Sequence, residues 1–259
     1  MLEIPAHVEA LRRDGGLLAA AAERAGADAP VPSCPEWVVR DLVHHMGGVH
    51  RWAAGHIRDR RTEEWDADLE DVAGGWPDDA SLPDWLRTGC AALASDLDAA
   101  DPELQCWTFL PAPSPLAMWA RRQAHETAVH RVDAELAAGD APTPFPPDFA
   151  ADGIDEMLTG FLPRGRRLRS EVPRTLRITT DDAPGDWLLR ISTEPVVTTT
   201  DPGDPDLDLD LAGDADCRVS GPASDLYLTL WNRSGPGGLT VAGDADVLAL
   251  LLDRVRVSW

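Results

Sequence analysis

The chain has 259 residues, of which 44% are hydrophobic, so it is long enough for two domains with packed cores and too apolar to be disordered. Its 45 acidic residues against 23 basic ones give a formal net charge of −22, and every basic residue other than histidine is an arginine. This balance argues against a nucleic acid or an anionic membrane as partner, because binding phosphates requires a concentrated basic patch.

One short segment departs from the acidic composition. Residues 164–169 contain four arginines, and we interpret the run as a solvated surface loop. The N-terminus has no basic region followed by an apolar run, and no apolar stretch approaches the roughly 20 residues that span a bilayer. We therefore expect a cytoplasmic protein without a signal peptide and without a membrane partner.

The first 140 residues are expected to form four helices. Apolar residues at helical spacing predict the first, although Gly15-Gly16 interrupts the pattern. The capping-box sequence Ser33-Cys34-Pro35-Glu36 predicts the start of the second, and Ser81 and Ser114, each close to a proline, predict two further starts. The predicted helices cover residues 5–25, 33–58, 81–97 and 114–138. Their number and length predict a four-helix bundle, with the acidic connection 59–80 on its surface.

The four cysteines are widely separated, and none belongs to a Cys-x-x-Cys pair: they are Cys34, Cys90, Cys106 and Cys217. In a reducing compartment this arrangement predicts free thiols rather than disulfides or a zinc cluster. Cys34 lies at the predicted start of the second helix, where the helix dipole could lower its pKa. A structural role is the plainer alternative for this residue.

A proline-rich segment, residues 141–147, cannot form a helix interior and predicts a linker between two domains. Beyond it, short runs of strand-forming residues alternate with turn sequences and with two apolar helical stretches. The predicted strands cover residues 175–179, 187–191, 207–211 and 254–257, and the predicted helices cover residues 224–231 and 244–253. We therefore predict an N-terminal four-helix bundle in residues 1–140, followed by a smaller α+β domain in residues 148–259.

The second predicted helix contains four histidines, of which His44, His45 and His50 lie close together. His45 falls on the stripe of apolar residues that should face the core. A buried imidazole requires a polar partner, because burying a polar ring without one is costly. A hydrogen bond to a neighbouring residue would serve, and so would a metal ion. His44 lies beside Asp41 and is expected to be exposed, whereas His50 has apolar neighbours and stays ambiguous.

On the fourth predicted helix, Glu126 and His130 lie four residues apart, so both can reach one ion from neighbouring turns. They share a polar face with Asp133, which could orient a metal-binding side chain by a hydrogen bond without binding the ion itself. Two imidazoles and one carboxylate, from His45, Glu126 and His130, would hold a divalent ion and leave positions open, as in a reactive zinc site. The alternative is an ordinary surface pair between Glu126 and Arg122 or His130.

Three segments resemble one known family. The run from Val31 to Met46, with a tryptophan, an Asp-Leu pair and a closing His45, resembles the N-terminal signature of the mycothiol-dependent maleylpyruvate isomerases, which are DinB-like metal-binding bundles. Residues 121–135 resemble the second signature of that family. Residues 219–233 resemble its C-terminal domain, which is similar to sterol carrier folds. The resemblance implies that His45, Glu126 and His130 are metal ligands.

The resemblance also implies a thiol-dependent enzyme. A divalent metal, with zinc expected, would lower the pKa of mycothiol, and the thiolate would attack a small electrophilic substrate. The enzyme would be an isomerase if the thiol leaves again and an S-transferase if it stays attached. Arg40 and His50 are weaker candidates for the pocket, and Arg233 could reach an anionic substrate or the thiol.

Two alternatives to an enzyme stay open at this point. One is a non-catalytic, metal-stabilised binding module, whose C-terminal domain would hold an apolar ligand or a protein partner. The other is an inactive relative that keeps only the fold. The oligomeric state is not predicted by the sequence.

Overall fold

The computed structural model describes residues 1–200 and 215–256. The chain divides into two compact units, Leu2–Thr143 and Pro144–Trp259. This division lies in the same proline-rich segment as the predicted linker, residues 141–147. In the described part of the chain, no helix combines the length and the apolar character that crossing a membrane requires.

The first unit is helical. Its α-helices are α1 Ile4–Ala25, α2 Val39–Arg58, α3 Leu69–Ala73, α4 Leu82–Ala99 and α5 Pro115–Ala137. Helices α4 and α5 each pack against both α1 and α2, so the four long helices close a ring around a shared apolar core. The short α3 lies against α2, within the connection between α2 and α4. This arrangement confirms the predicted four-helix bundle.

The second helix begins at Val39, so the predicted start at Ser33 is wrong. Residues 30–38 instead form tight turns that are closed by a bridge between Pro30 and Val38. The Ser33 hydroxyl donates to Asp133 of α5 rather than capping a helix. The Ser33 side chain, on which the predicted cap depends, thus bonds to a residue far away in the sequence. Cys34 consequently does not lie at a helix N-terminus.

Helices α2 and α4 approach each other closely at Gly47. A Cβ atom at this position would lie 1.9 Å from a ring carbon of Trp85. We expect Gly47→Ala to lower the free energy of unfolding by about 1–3 kcal/mol, because the indole would have to shift inside a packed interface. Urea denaturation followed by far-UV circular dichroism measures this change.

The matched control for that substitution is Gly16→Ala on α1, where an added Cβ meets no atom within 4 Å. Alanine is a better helix former than glycine by about 0.5–1 kcal/mol, so this change should raise stability slightly. Equal destabilisation by both substitutions would contradict the close approach of the helices at Gly47.

In its described residues, 144–200 and 215–256, the second unit contains a five-stranded sheet and three α-helices. The strands are β1 Arg174–Thr180, β2 Asp186–Ile191, β3 Val197–Thr199, β4 Cys217–Gly221 and β5 Thr240–Gly243, and the helices are α6 Pro147–Asp155, α7 Ala223–Leu230 and α8 Ala245–Arg254. The strand order is β3-β2-β1-β4-β5. Strands β1 and β4 run parallel, with Ile178 opposite Val219, and all other neighbours run antiparallel. Helix α8 packs on β1 and β4, which confirms the predicted α+β class.

Most of the elements predicted for this unit are confirmed. Strands β1 and β2 and helices α7 and α8 lie within two residues of their predicted limits. The strand predicted over 254–257 is wrong in its described part, because Arg254 is the last residue of α8 and the Val255 N–H still donates to the Leu251 carbonyl at 2.8 Å. The apolar helical pattern of α8 thus outweighs the strand propensity of the valines. The strand predicted over 207–211 lies outside the described residues.

Candidate metal centre

Helix α5 has no solvent-facing side. Every residue from Leu116 to Glu135 is buried, including all the polar ones. Both the apolar and the polar face of the predicted helix therefore lie inside the protein, and the interpretation of Glu126 as part of a surface pair is wrong. Buried charges require partners, because an unsatisfied one is strongly destabilising.

The structure brings the three predicted ligands together. His45 comes from α2, whereas Glu126 and His130 come from successive turns of α5. The Oε1 atom of Glu126 lies 3.3 Å from Nε2 of His45 and 3.5 Å from Nε2 of His130. One ligand atom from each residue lies within 4.8 Å of the other two. Glu126 and His130 are buried, while the His45 side chain keeps 17% of its surface exposed, so the cluster is reached from the side of His45.

The ring of His130 is held in one orientation. Its Nδ1–H donates to Oδ2 of Asp133 at 2.8 Å, and the Ser33 hydroxyl donates to the other carboxylate oxygen of Asp133. When His130 is neutral with its proton on Nδ1, the lone pair of Nε2 faces the cluster, as in metal-binding histidines that bond to a carboxylate through their other ring nitrogen. Burial acts to lower the pKa of His130, but the hydrogen bonds to Asp133 and Glu126 outweigh it, and the pKa is raised.

Glu126 is held as a carboxylate. Its Oε2 atom accepts from the Arg122 guanidinium at 2.8 Å, and both side chains are buried. Burial acts to raise the pKa of Glu126, but Arg122 and the hydrogen bonds with His130 and His45 outweigh it, so the pKa lies well below its usual range. Burial lowers the pKa of His45, against the opposing effect of Glu126. The cluster therefore combines an ionised carboxylate with an imidazole in the neutral form that binds metals.

These donor atoms fit a divalent metal. Ligands that lie about 2.0–2.1 Å from a tetrahedral zinc ion are about 3.3 Å from one another. The separations of 3.3 Å and 3.5 Å are long for hydrogen bonds but match that spacing. Two nitrogens and one oxygen would supply three of the four ligands of a tetrahedral ion and would leave one position for a further ligand.

A tryptophan of the N-terminal signature lines the cluster, although it was not among the predicted site residues. The Trp37 ring lies 5.1 Å from that of His45 and stacks at 5.9 Å on that of His130, measured between centroids. Ser33 and Trp37 both belong to the segment that was expected to be the first turn of α2. Because that segment folds as turns, the two side chains reach α5. Cys34 lies beside them, with its Sγ 3.8 Å from Oδ2 of Asp133.

Two other histidines of α2, His44 and His50, have different surroundings. His44 was expected to be exposed, but its ring is half-buried and stacks on Trp76 with centroids 4.4 Å apart. His50 is fully buried, its Nε2 lies 2.9 Å from the Thr127 hydroxyl, and burial lowers its pKa to about 3. Neither residue joins the three-ligand cluster, so His50 serves as a neutral hydrogen-bonding group between α2 and α5.

Arg40 was a weaker candidate for the pocket, and Arg233 was expected to reach an anionic substrate or the thiol. Arg40 forms a surface network with Asp28 at 2.8 Å and with Asp79 at 2.5 Å. Arg233 is buried in the second unit and donates to the Trp231 carbonyl at 2.8 Å, so it is not a solvated helix-end residue. Its contact with an anionic substrate or a thiol stays a prediction.

None of the four cysteines forms a disulfide, as predicted. Cys90 is buried between α1 and α4, where burial raises its pKa to about 12. A thiol with so high a pKa is a poor nucleophile, which agrees with a structural role.

Comparison with known proteins agrees with this organisation. A family model described as the mycothiol maleylpyruvate isomerase N-terminal domain matches residues 8–135, and one described as the MDMPI C-terminal domain matches residues 148–250. The crystal structures of the mycothiol-dependent maleylpyruvate isomerase and of a histidine-to-alanine mutant each match at 13% identity and a TM-score of 0.60, over 93% of this chain and 93% of their own. At that identity the likeness establishes the fold.

No curated protein sequence matches the chain. The two family matches nevertheless span most of its length, one in each compact unit. The chain therefore belongs to the mycothiol-dependent maleylpyruvate isomerase family, which is a family of enzymes.

Proposed function

We propose that this protein is a metal-dependent enzyme that uses mycothiol, or a related low-molecular-weight thiol, to isomerise or S-conjugate a small electrophilic substrate. His45, Glu126 and His130 hold the divalent ion, and zinc is the ion expected from two nitrogen ligands and one oxygen ligand. The observation that carries the proposal is the convergence of these three side chains, with their ligand atoms within 4.8 Å of one another. Membership of a family named for thiol-dependent isomerisation supports it.

The surrounding residues have separate roles in this proposal. A divalent ion held by these residues would supply Lewis acidity, which would lower the pKa of a bound thiol. Arg122 keeps Glu126 ionised and in position through their 2.8 Å contact. Asp133 orients His130, and Trp37 covers the imidazoles with an apolar surface that limits the access of water.

The thiol chemistry of an isomerase is a reversible addition. The thiolate adds to one carbon of a conjugated double bond, and the electron pair of that bond moves onto the adjoining carbonyl group. The former double bond can now rotate. Expulsion of the thiolate restores the double bond with the other geometry and returns the thiol unchanged. In an S-transferase the adduct takes up a proton and is released, so the thiol is consumed.

The test is a turnover assay on the purified chain with mycothiol and a panel of electrophiles. The panel includes maleylpyruvate, the substrate in the name of the solved relatives. We expect turnover that requires the thiol, is lost with a chelator and returns when zinc is added. Free thiol, measured during turnover, stays constant for an isomerase and falls for an S-transferase. Turnover that is insensitive to the chelator would refute the metal-dependent mechanism.

Asp133 gives a prediction about metal affinity. Asp133→Asn removes the charge behind His130, and we expect metal affinity to fall by about 10–100-fold, as is typical when such a carboxylate is lost. Ser33→Ala removes only the hydroxyl that donates to Asp133, so its effect should be smaller. Competition with a chromophoric chelator measures both affinities. A larger loss of metal affinity from Ser33→Ala than from Asp133→Asn would contradict the proposal that Ser33 acts on His130 only through Asp133.

A further inference from the structure

A cavity of about 310 Å³ lies in the second unit, where the turns that follow α6 meet the end of α8. Its volume is at the lower end of the range for small-molecule sites, roughly 300–1,000 Å³. The apolar side chains along it are Met157, Phe161, Leu162, Leu168 and Val255, and the charged ones are Arg166, Arg167, Arg254 and Arg256. No acidic residue belongs to this described lining.

The arginines of this cavity have few partners of opposite charge. Arg254 lies 3.4 Å from the carboxylate of its neighbour Asp253. Arg166, Arg167 and Arg256 form no ion pair with any carboxylate in residues 1–200 or 215–256. In a chain with a net charge of −22, four guanidinium groups around one cavity form a distinct basic site. The predicted solvated loop 164–169 therefore contributes two of its arginines to a cavity.

The apolar floor comes from an unusual backbone segment. Helix α6 continues into a π-helical turn, Glu156–Phe161, and then into a 3₁₀ turn, Leu162–Arg164. Such π-helical turns are rare, and they occur frequently at functional sites. This one supplies Met157 and Phe161 to the cavity, and the Phe161 ring packs edge-on against Trp231 at 5.9 Å between centroids. The floor is thus anchored in the core of the unit.

We propose that this cavity binds a small amphiphilic anion. The apolar body of the ligand would lie on the floor formed by the π-helical turn, and its anionic head would face the arginines. Guanidinium groups bind planar anions such as carboxylates through paired N–H donors, and all four arginines are exposed and so accessible to the head group. The site shares no residue with the cluster of His45, Glu126 and His130, and it adds a binding function to the proposed reaction.

Octanoate is the probe for this proposal, and isothermal titration calorimetry is the measurement. We expect saturable binding of octanoate and none of acetate or octanol, since each of these lacks half of the required ligand. Binding should weaken when salt is raised from about 0.05 M to about 0.3 M, because screening shortens the reach of exposed charges. In Arg166→Gln/Arg167→Gln/Arg256→Gln we expect affinity to fall at least about tenfold.

The control variant removes the same number of charges outside the cavity: Arg164→Gln/Arg174→Gln/Arg190→Gln. Its affinity for octanoate should stay within about twofold of the native value, because general electrostatic attraction is screened. Circular dichroism establishes that both variants fold. Equal losses in the two variants, equal binding of octanol, or no saturable binding by the native chain would each overturn the proposal.

Discussion

Replacing His130 by alanine is expected to lower metal affinity and thiol-dependent turnover by at least about 100-fold. Loss of a carboxylate that only hydrogen-bonds to a metal ligand already lowers metal affinity or activity by about 10–100-fold. The substitution removes a nitrogen that Asp133 holds towards Glu126. His45→Ala and Glu126→Ala should have effects of the same order, because each removes one of three ligands. Metal analysis of the purified variants by mass spectrometry, together with the turnover assay, measures both quantities.

The neighbouring His44 is the matched control for those variants. It lies on the same helix as His45 but stacks on Trp76 and does not join the cluster. We expect His44→Ala to keep its metal and most of its turnover. Full metal stoichiometry in all three ligand variants would eliminate the site, whereas metal loss in His44→Ala as well would point to a general disturbance of α2.

Arg131→Met is expected to lower the free energy of unfolding of the first unit by about 3–5 kcal/mol, as is typical when one member of a buried ion pair is removed. Arg131 is buried, and its guanidinium lies 3.2 Å from Asp14 of α1 and 2.8 Å from Glu135. It also donates to the Thr143 carbonyl at 2.6 Å. Methionine preserves the apolar stem but leaves two buried carboxylates without this cation.

The control for this prediction is Arg24→Met, which removes an exposed pair with Asp140. Exposed pairs contribute about 0–1 kcal/mol, so this variant should unfold close to the native midpoint. Urea unfolding followed by two probes, far-UV circular dichroism and tryptophan fluorescence, tests whether the units unfold together. Similar shifts for Arg131→Met and Arg24→Met would show that the buried network adds no specific stability.

Local signals in the sequence were sufficient for most of the helices. Apolar spacing and the serine–proline starts predicted α1, α4 and α5 within a few residues, because helix formation depends on contacts three and four residues apart. The start of α2 was predicted too early. A capping box depends on four consecutive residues only. In the structure the Ser33 hydroxyl instead donates a hydrogen bond to Asp133, one hundred residues further along the chain.

The polar and apolar faces of α5 could be predicted from its sequence, but the burial of the polar face could not. A helix with polar and apolar faces normally has one face in water, and on that basis Glu126 could have been a surface residue. The structure buries both faces, and partners such as Arg122 and Asp133 satisfy the buried charges. Helical periodicity indicates which side chains share a face of the helix, but it does not indicate whether water or another helix contacts that face.

The sequence by itself determined that Glu126 and His130 point the same way, because residues four apart lie on neighbouring turns of any α-helix. It also indicated the change from an all-helical region to a mixed α+β region beyond residue 147. The core-facing stripe and the family resemblance selected His45 among the histidines of α2, but only the tertiary structure brings His45 within reach of Glu126 and His130. His45 and Glu126 are separated by 81 positions, and their 3.3 Å contact depends on how α2 and α5 pack, a property of the whole bundle rather than of either helix.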